Sequence, residues 1–156
     1  MLNLEQIRFC AIECEMQRVG PASVYDMCRA YSFAMGFNNN PITTDFVCDL
    51  GKLVEPTKNF YGFRTTPVYF GDSTNQAVPA NNVENALVSL IHYGQNLSAE
   101  EGYIEFEKIH PFNDGNGRVG AILYNIWNGT LEKPQQPPEY PNDFRPSDED
   151  YYSRKV

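Results

Sequence analysis

At 156 residues and 17.8 kDa, with 42% hydrophobic and 13% aromatic residues, the chain can bury a core of its own as one domain, which excludes a disordered protein. A formal net charge of -8 and a pI near 4.7 leave no broad basic face, so nucleic acid is excluded as the main partner. With no apolar run of membrane-spanning length and a polar, amphipathic N-terminus, no membrane partner is expected, and the scattered Cys10, Cys14, Cys28 and Cys48 read as free buried thiols of a cytoplasmic protein.

Leu4, Ile7, Phe9, Ala11 and Ile12 recur at helical spacing and predict a first helix from about Leu4 to Gln17. Gly20-Pro21 breaks it, and Pro21 suits the first turn of a second helix that runs to about Met35. Thr43 or Thr44 caps a third helix carrying Phe46, Val47, Leu50 and Leu53, which Pro56 ends. From Phe60 to Phe70 the chain turns to Tyr, Phe, Thr, Val and Gly, which predicts a short β-hairpin, followed by a loop over 71–75.

A fourth helix is predicted from about Asn81 to Tyr93, burying Val83, Leu87, Leu90 and Ile91, with His92 packed among them. Ser98 and Glu101 fit a capping box for a fifth helix, ending at His110-Pro111, on which Glu105, Glu107 and Lys108 read as a solvated face. The sixth begins in Gly115-Asn116-Gly117 and runs to about Trp127, where Asn128-Gly129 stops it. The expected fold class is all-α: a helical bundle with one hairpin. One domain spans 1–129, and a Pro-rich acidic tail, 130–156, packs on it or trails from it.

His110 to Arg118 reads His-Pro-Phe-Asn-Asp-Gly-Asn-Gly-Arg and runs straight into an apolar helix. Gly115-Asn116-Gly117 at a helix start would present free N–H groups and the positive end of the helix dipole, which suits a phosphate. Asp114 beside that point offers Mg²⁺ a ligand, and Arg118 can fork onto a second phosphate. His110, with an ordinary pKa near neutrality, is placed as a general base. The combination reads as phosphate chemistry.

This string closely resembles the signature of the Fic (Fido) family, His-x-Phe-x-Asp/Glu-Gly-Asn-Gly-Arg-x-x-Arg. The match holds at His110, Phe112, Asp114, Gly115, Asn116, Gly117 and Arg118, and Ala121 stands where the second arginine is expected. Gly62-Phe63-Arg64-Thr65 and Val68-Tyr69-Phe70-Gly71 resemble the family's hairpin flap, placed at about 60–71, which pairs with the target as an added strand. The resemblance implies a Fic-fold protein adenylyltransferase that moves AMP from Mg-ATP to a Ser, Thr or Tyr hydroxyl.

Residue by residue, it implies that His110 deprotonates the hydroxyl and Asp114 holds Mg²⁺. It puts Gly115, Asn116, Gly117 and Arg118 on the phosphates, and Arg64, Thr65 and Thr66 on the flap against the target protein. Each position also has a plain structural reading. His110 could cap carbonyls, Asp114 could be a turn residue, Asn116 a helix cap, and Arg64 an exposed hairpin residue.

Phe112 reads as a core anchor. At Ala121, one turn after Arg118, a methyl cannot grip a γ-phosphate, nor meet the glutamate of the family's inhibitory helix. The chain carries no clean copy of that helix's pattern, and the resemblance admits an inhibitory partner in trans. The rivals are a Doc-like phosphotransferase, another nucleotidyl or phosphodiester donor, and a Fic-fold binding module without catalysis.

Overall fold

The protein is described here by a computed structural model covering residues 1–37, 40–70 and 75–139. Six α-helices make up most of it: α1 Leu4–Met16, α2 Pro21–Gly36, α3 Thr44–Val54, α4 Val83–Tyr93, α5 Ala99–Ile109 and α6 Asn116–Trp127. Short 3₁₀ turns, Ala80–Asn82 and Gly94–Asn96, lead into α4 and α5. Helices α1, α3 and α5 start where a side chain satisfies a free N–H group. Asn3 and Gln6 form a reciprocal capping box with both bonds at 2.8 Å. Thr43 accepts from the Phe46 N–H, Ser98 accepts from the Glu101 N–H, and Pro21 opens α2.

Alpha6 is the axle of the bundle. It packs against α5, α3, α2 and α1, and Val119, Ala121, Ile122 and Leu123 on it are all within 1% of complete burial. A helix buried on nearly every side has its amphipathic stripe widened to a full turn. Beneath its start, the Phe112 ring lies against α3 at Gly51, where a Cβ would stand 2.1 Å from the ring. Any larger residue at 51 would push that ring out, so Gly51 and Phe112 together set the height of the loop before α6. His92, expected among the packed residues of α4, is exposed, with its ring edge-on to Tyr93.

The strand pairing differs from the hairpin expected over 60–71. The two strands are β1 Tyr69–Phe70 and β2 Asn75–Gln76, antiparallel, with Tyr69 opposite Gln76 and Phe70 opposite Asn75. The loop between them, 71–74, lies outside the described residues. Upstream, the chain is held in turns, with Asn59 N–H donating to Glu55 O and Gly62 N–H to Asn59 O. The reason is tertiary. Phe63 is drawn inward against Phe112, with ring centroids 5.4 Å apart, and Arg64 is buried. Phe63 therefore serves packing, not a ladder, while Phe60 and Tyr61 stay exposed.

The first part of the tail lies on the bundle. Leu131 O accepts from Gln6 Nε2 at 2.9 Å and from the Tyr31 hydroxyl at 2.8 Å. Asn125 grips Gln135 at both its N–H and its carbonyl. Residues 140–156 lie outside the described residues. No described helix is long and apolar enough to cross a membrane.

Candidate active site

Alpha5 cannot continue past Ile109, because Pro111 disfavours helical backbone at the residue before it. His110 resolves this by entering the left-handed region, φ 51 and ψ 63. A non-glycine residue held there costs on the order of 1–3 kcal/mol and persists only where its surroundings over-determine it. The determinant is Arg64. Its Nε donates to His110 O at 2.6 Å, Nη1 to Thr66 O at 2.9 Å, and Nη2 to Ile109 O at 3.1 Å and to Val78 O. The Arg64 N–H adds a bond to Pro111 O at 2.9 Å. One guanidinium thus collects the orphan carbonyls at the end of α5 and ties them to the chain around the hairpin. Its burial pulls the guanidinium below its ordinary pKa.

At the other end of the loop, Asn116 closes the turn on itself. Its Oδ1 accepts from Phe112 N–H at 2.8 Å, and its Nδ2 donates to Phe112 O at 2.9 Å. Gly115 is the N-cap of α6 with φ 79, and no side chain caps the helix. Asp114 Oδ1 accepts from the Gly115 N–H at 2.8 Å, and its Oδ2 holds the Lys58 ammonium at 3.0 Å. Arg118 Nη2 lies 3.2 Å from Glu55 Oε1 and 3.7 Å from Asp114 Oδ1. Its Nη1 meets Val54 O, at the negative end of α3.

The loop is closed over. His110 and Asp114 are 2% and 3% exposed, and Arg118 is 1% exposed. The Gln17 carboxamide, from the C-cap of α1, covers Gly117 so closely that a Cβ there would meet it at 2.6–2.9 Å. Among the described residues, one cavity lies between the ends of α2 and α6 and another between α4 and α5, both away from the motif. The motif thus gathers an imidazole, a carboxylate, a guanidinium and an uncapped helix start on one loop. Chemically this can take a polyanion and remove a proton.

The model of the Fic/DOC family matches residues 41–127, more than half of the chain. The chain belongs to the Fic/DOC family. Its fold is similar to that of a Fic family protein from Desulfovibrio desulfuricans G20, at 22% identity and TM-score 0.58 over 85% of this chain. It is equally similar to a fragment of Fic-1 from C. elegans, at 22% identity and TM-score 0.58 over 88% of this chain. The chain spans 46% of the length of each of those structures. No curated protein matches it.

Within this Fic fold, several residues stand where the sequence reading did not put them. Arg64 was expected on the flap surface with Thr65 and Thr66. Both threonines are exposed, but Arg64 is 2% exposed, and the hydrogen bonds of its guanidinium all run to backbone carbonyls. Asn116 is the first residue of α6, not its cap, and its amide is spent on Phe112. Ala121 lies in the core at 0% exposure, so an arginine at 121 would have to displace its neighbours.

Glu107, read as solvated, is 1% exposed with its carboxylate against α6, where a Cβ on Gly120 would lie 2.3 Å from Oε1. The residues missed were Lys58, Asn59, Glu55 and Gln17. Asn59 grips the backbone of Asp114, donating to its carbonyl at 2.8 Å and accepting from its N–H at 3.4 Å. Only the Asn after Lys in a Pro-Thr-Lys-Asn turn hinted at such a loop clamp.

Proposed function

We propose that this Fic protein transfers a nucleotidyl group, AMP from ATP, to a Ser, Thr or Tyr hydroxyl of a protein docked along the flap, with Thr65 and Thr66 on the exposed side of that surface. The observation that carries the reading is the convergence of His110, Asp114, Arg118 and the uncapped start of α6 on one loop that Arg64 and Asn59 hold rigid. A site pre-set in this way positions its groups before the substrate arrives.

In this mechanism His110 removes the proton of the attacking hydroxyl as its oxygen approaches the α-phosphorus, and the bond to the pyrophosphate oxygen breaks. The N–H groups of Gly117 and Arg118, with the Arg118 guanidinium, face the charge that accumulates on the phosphate oxygens. Gly115 takes the left-handed turn tight against Val54, and Gly117 leaves the helix start without a Cβ, so that an anion which displaces Gln17 could approach the backbone. Asp114 is the residue that would hold Mg²⁺. Its Oδ2 already receives one small cation, the Lys58 ammonium, at 3.0 Å, and Mg²⁺ commonly takes one protein carboxylate with substrate phosphates and water. When bound, the metal neutralises and aligns phosphate oxygens.

One observation favours a second reading, a Fic-fold binding module: the motif is closed over by Gln17. Both readings, and Doc-like phosphotransfer, separate in one experiment. The full chain is incubated with a cell lysate and ATP labelled on either the α- or the γ-phosphate. Protein label from the α-phosphate alone, lost in His110→Ala by roughly 10²–10⁴-fold for a missing general base, is the expected result. Label from the γ-phosphate alone would replace the reading with phosphotransfer, and no label from either would leave the binding module.

A further inference from the structure

Both arginines near the motif already have partners. Arg64 spends its donors on carbonyls, and Arg118 faces Glu55 and Asp114. In the cluster at the start of α6, Arg118 and Lys58 therefore offset Glu55 and Asp114, and the set is neutral. A triphosphate carries several negative charges, and a neutral pocket gives it little to bind.

Of these four groups, Lys58 alone has a substantially exposed side chain. Its side chain is 49% exposed, against 1% for Arg118, 4% for Asp114 and 16% for Glu55. It can change partner without any repacking of the core. Its backbone, by contrast, is bolted to the motif. Lys58 O accepts from Asn113 Nδ2 at 3.1 Å, and the adjacent Asn59 bonds both Asp114 O and Gly51 O. A half-exposed lysine–carboxylate contact contributes little to folding, so stability does not explain why an ammonium is mounted here.

We propose that Lys58 is a polyphosphate ligand of this site. Its ammonium rests on Asp114 in the ligand-free chain and turns to the terminal phosphates of a nucleoside triphosphate when Asp114 gains another cation. The flexible four-carbon stem allows that swing, and the compact ammonium suits a phosphate oxygen. The buried Ala121 cannot supply this charge. The inference rests on the reading of the motif as a nucleotide site and names the group that holds the far end of the nucleotide.

The test is calorimetric titration of the full chain with sodium tripolyphosphate in buffer containing Mg²⁺, so that Asp114 has its second cation, and separately with AMP in the same buffer. Lys58→Met should weaken tripolyphosphate binding by about tenfold, the loss of one charge-assisted contact, and change AMP affinity by less than about twofold. Lys58→Arg should restore most of the tripolyphosphate affinity. A titration with Mg²⁺ alone should show tighter binding in Lys58→Met, because the resident cation is gone from Asp114. Unchanged tripolyphosphate affinity in Lys58→Met, with wild-type binding measurable, would overturn the role of Lys58 and leave the nucleotide site standing. Equal weakening in Lys58→Met and Lys58→Arg would also overturn it. A wild-type chain that takes up neither tripolyphosphate, AMP nor Mg-ATP would overturn both readings together.

Discussion

The two ends of the motif loop are held by buried arginines in opposite ways. At the His110 end, Arg64 donates only to backbone carbonyls. Those acceptors cannot leave, so the contact is permanent and the left-handed His110 is locked. At the Gly115–Arg118 end, Arg118 gives one contact to Val54 O and otherwise faces the carboxylates of Glu55 and Asp114, and its Nε has no hydrogen-bond partner among the described residues. The Glu55 carboxylate, the more exposed of the two, can give way to a phosphate. On the proposed reading, one end holds the base in place and the other exchanges its anion.

That contrast is broken most directly at Arg64. Arg64→Met leaves the carbonyls of Ile109, His110, Thr66 and Val78 without their shared donor in a buried place, at a cost of about 3–5 kcal/mol of unfolding free energy. Arg64→Lys should recover only part, because one ammonium cannot fork to four carbonyls. Urea unfolding measures both. Arg118→Met should cost clearly less, since Glu55 can turn to water and Asp114 keeps Lys58. Equal losses at the two arginines would erase the distinction between the ends.

Much of this fold was legible in the sequence, for local reasons. Thr43 and Ser98 mark helix starts through bonds made within three residues, Pro21 does so through its fixed φ in the first turn, and the helix predictions fall close to the observed bounds. The motif was legible because its residues are contiguous. What escaped depended on partners distant in the chain. Arg64 reads as a surface hairpin residue until Ile109 and His110 are brought to it across 45 and 46 positions. Glu107 reads as solvated until Gly120 opens space for it. Lys58 and Asn59 reach Asp114 across 56 and 55 positions. No periodicity carries such information.

A second, smaller effect concerns α1, the helix whose end covers the exchangeable half. Glu13 is 2% exposed, one turn before Gln17, and burial pushes its carboxyl up to about 7 from 4.5. The folded chain therefore holds a proton on Glu13 that the unfolded chain releases at lower pH. Its contribution is fully present below about pH 4.5 and lost as pH rises through about 7, on the order of 3 kcal/mol in all. Stability of the wild type minus that of Glu13→Gln should fall across that window and flatten above it. A difference that is constant from pH 4 to pH 8 would place Glu13 in contact with water and loosen the seat assigned to α1.

The smallest expected effect sharpens the comparison most. If the Gly115–Arg118 end is made for exchange, the carboxamide of Gln17 over Gly117 is an occupant that any anion must displace. Gln17 lies at a helix C-cap and is only partly buried, so Gln17→Ala should leave unfolding free energy within about 0.5 kcal/mol. Tripolyphosphate affinity should rise by a few-fold, the scale of an anion at a helix start, about 0.3–1 kcal/mol. His110 should be unaffected, because its geometry is set by Arg64 at the far end of the loop. Its imidazole pKa, followed by NMR, should therefore match the wild type. Gly117→Ala adds a check from the other side: its Cβ would strike only the end of a flexible side chain, so the fold should survive while the approach of an anion is obstructed. If Gln17→Ala instead shifted the His110 titration and left polyphosphate affinity alone, the two ends would be one coupled unit, and the division between a locked base and an open cradle would not hold.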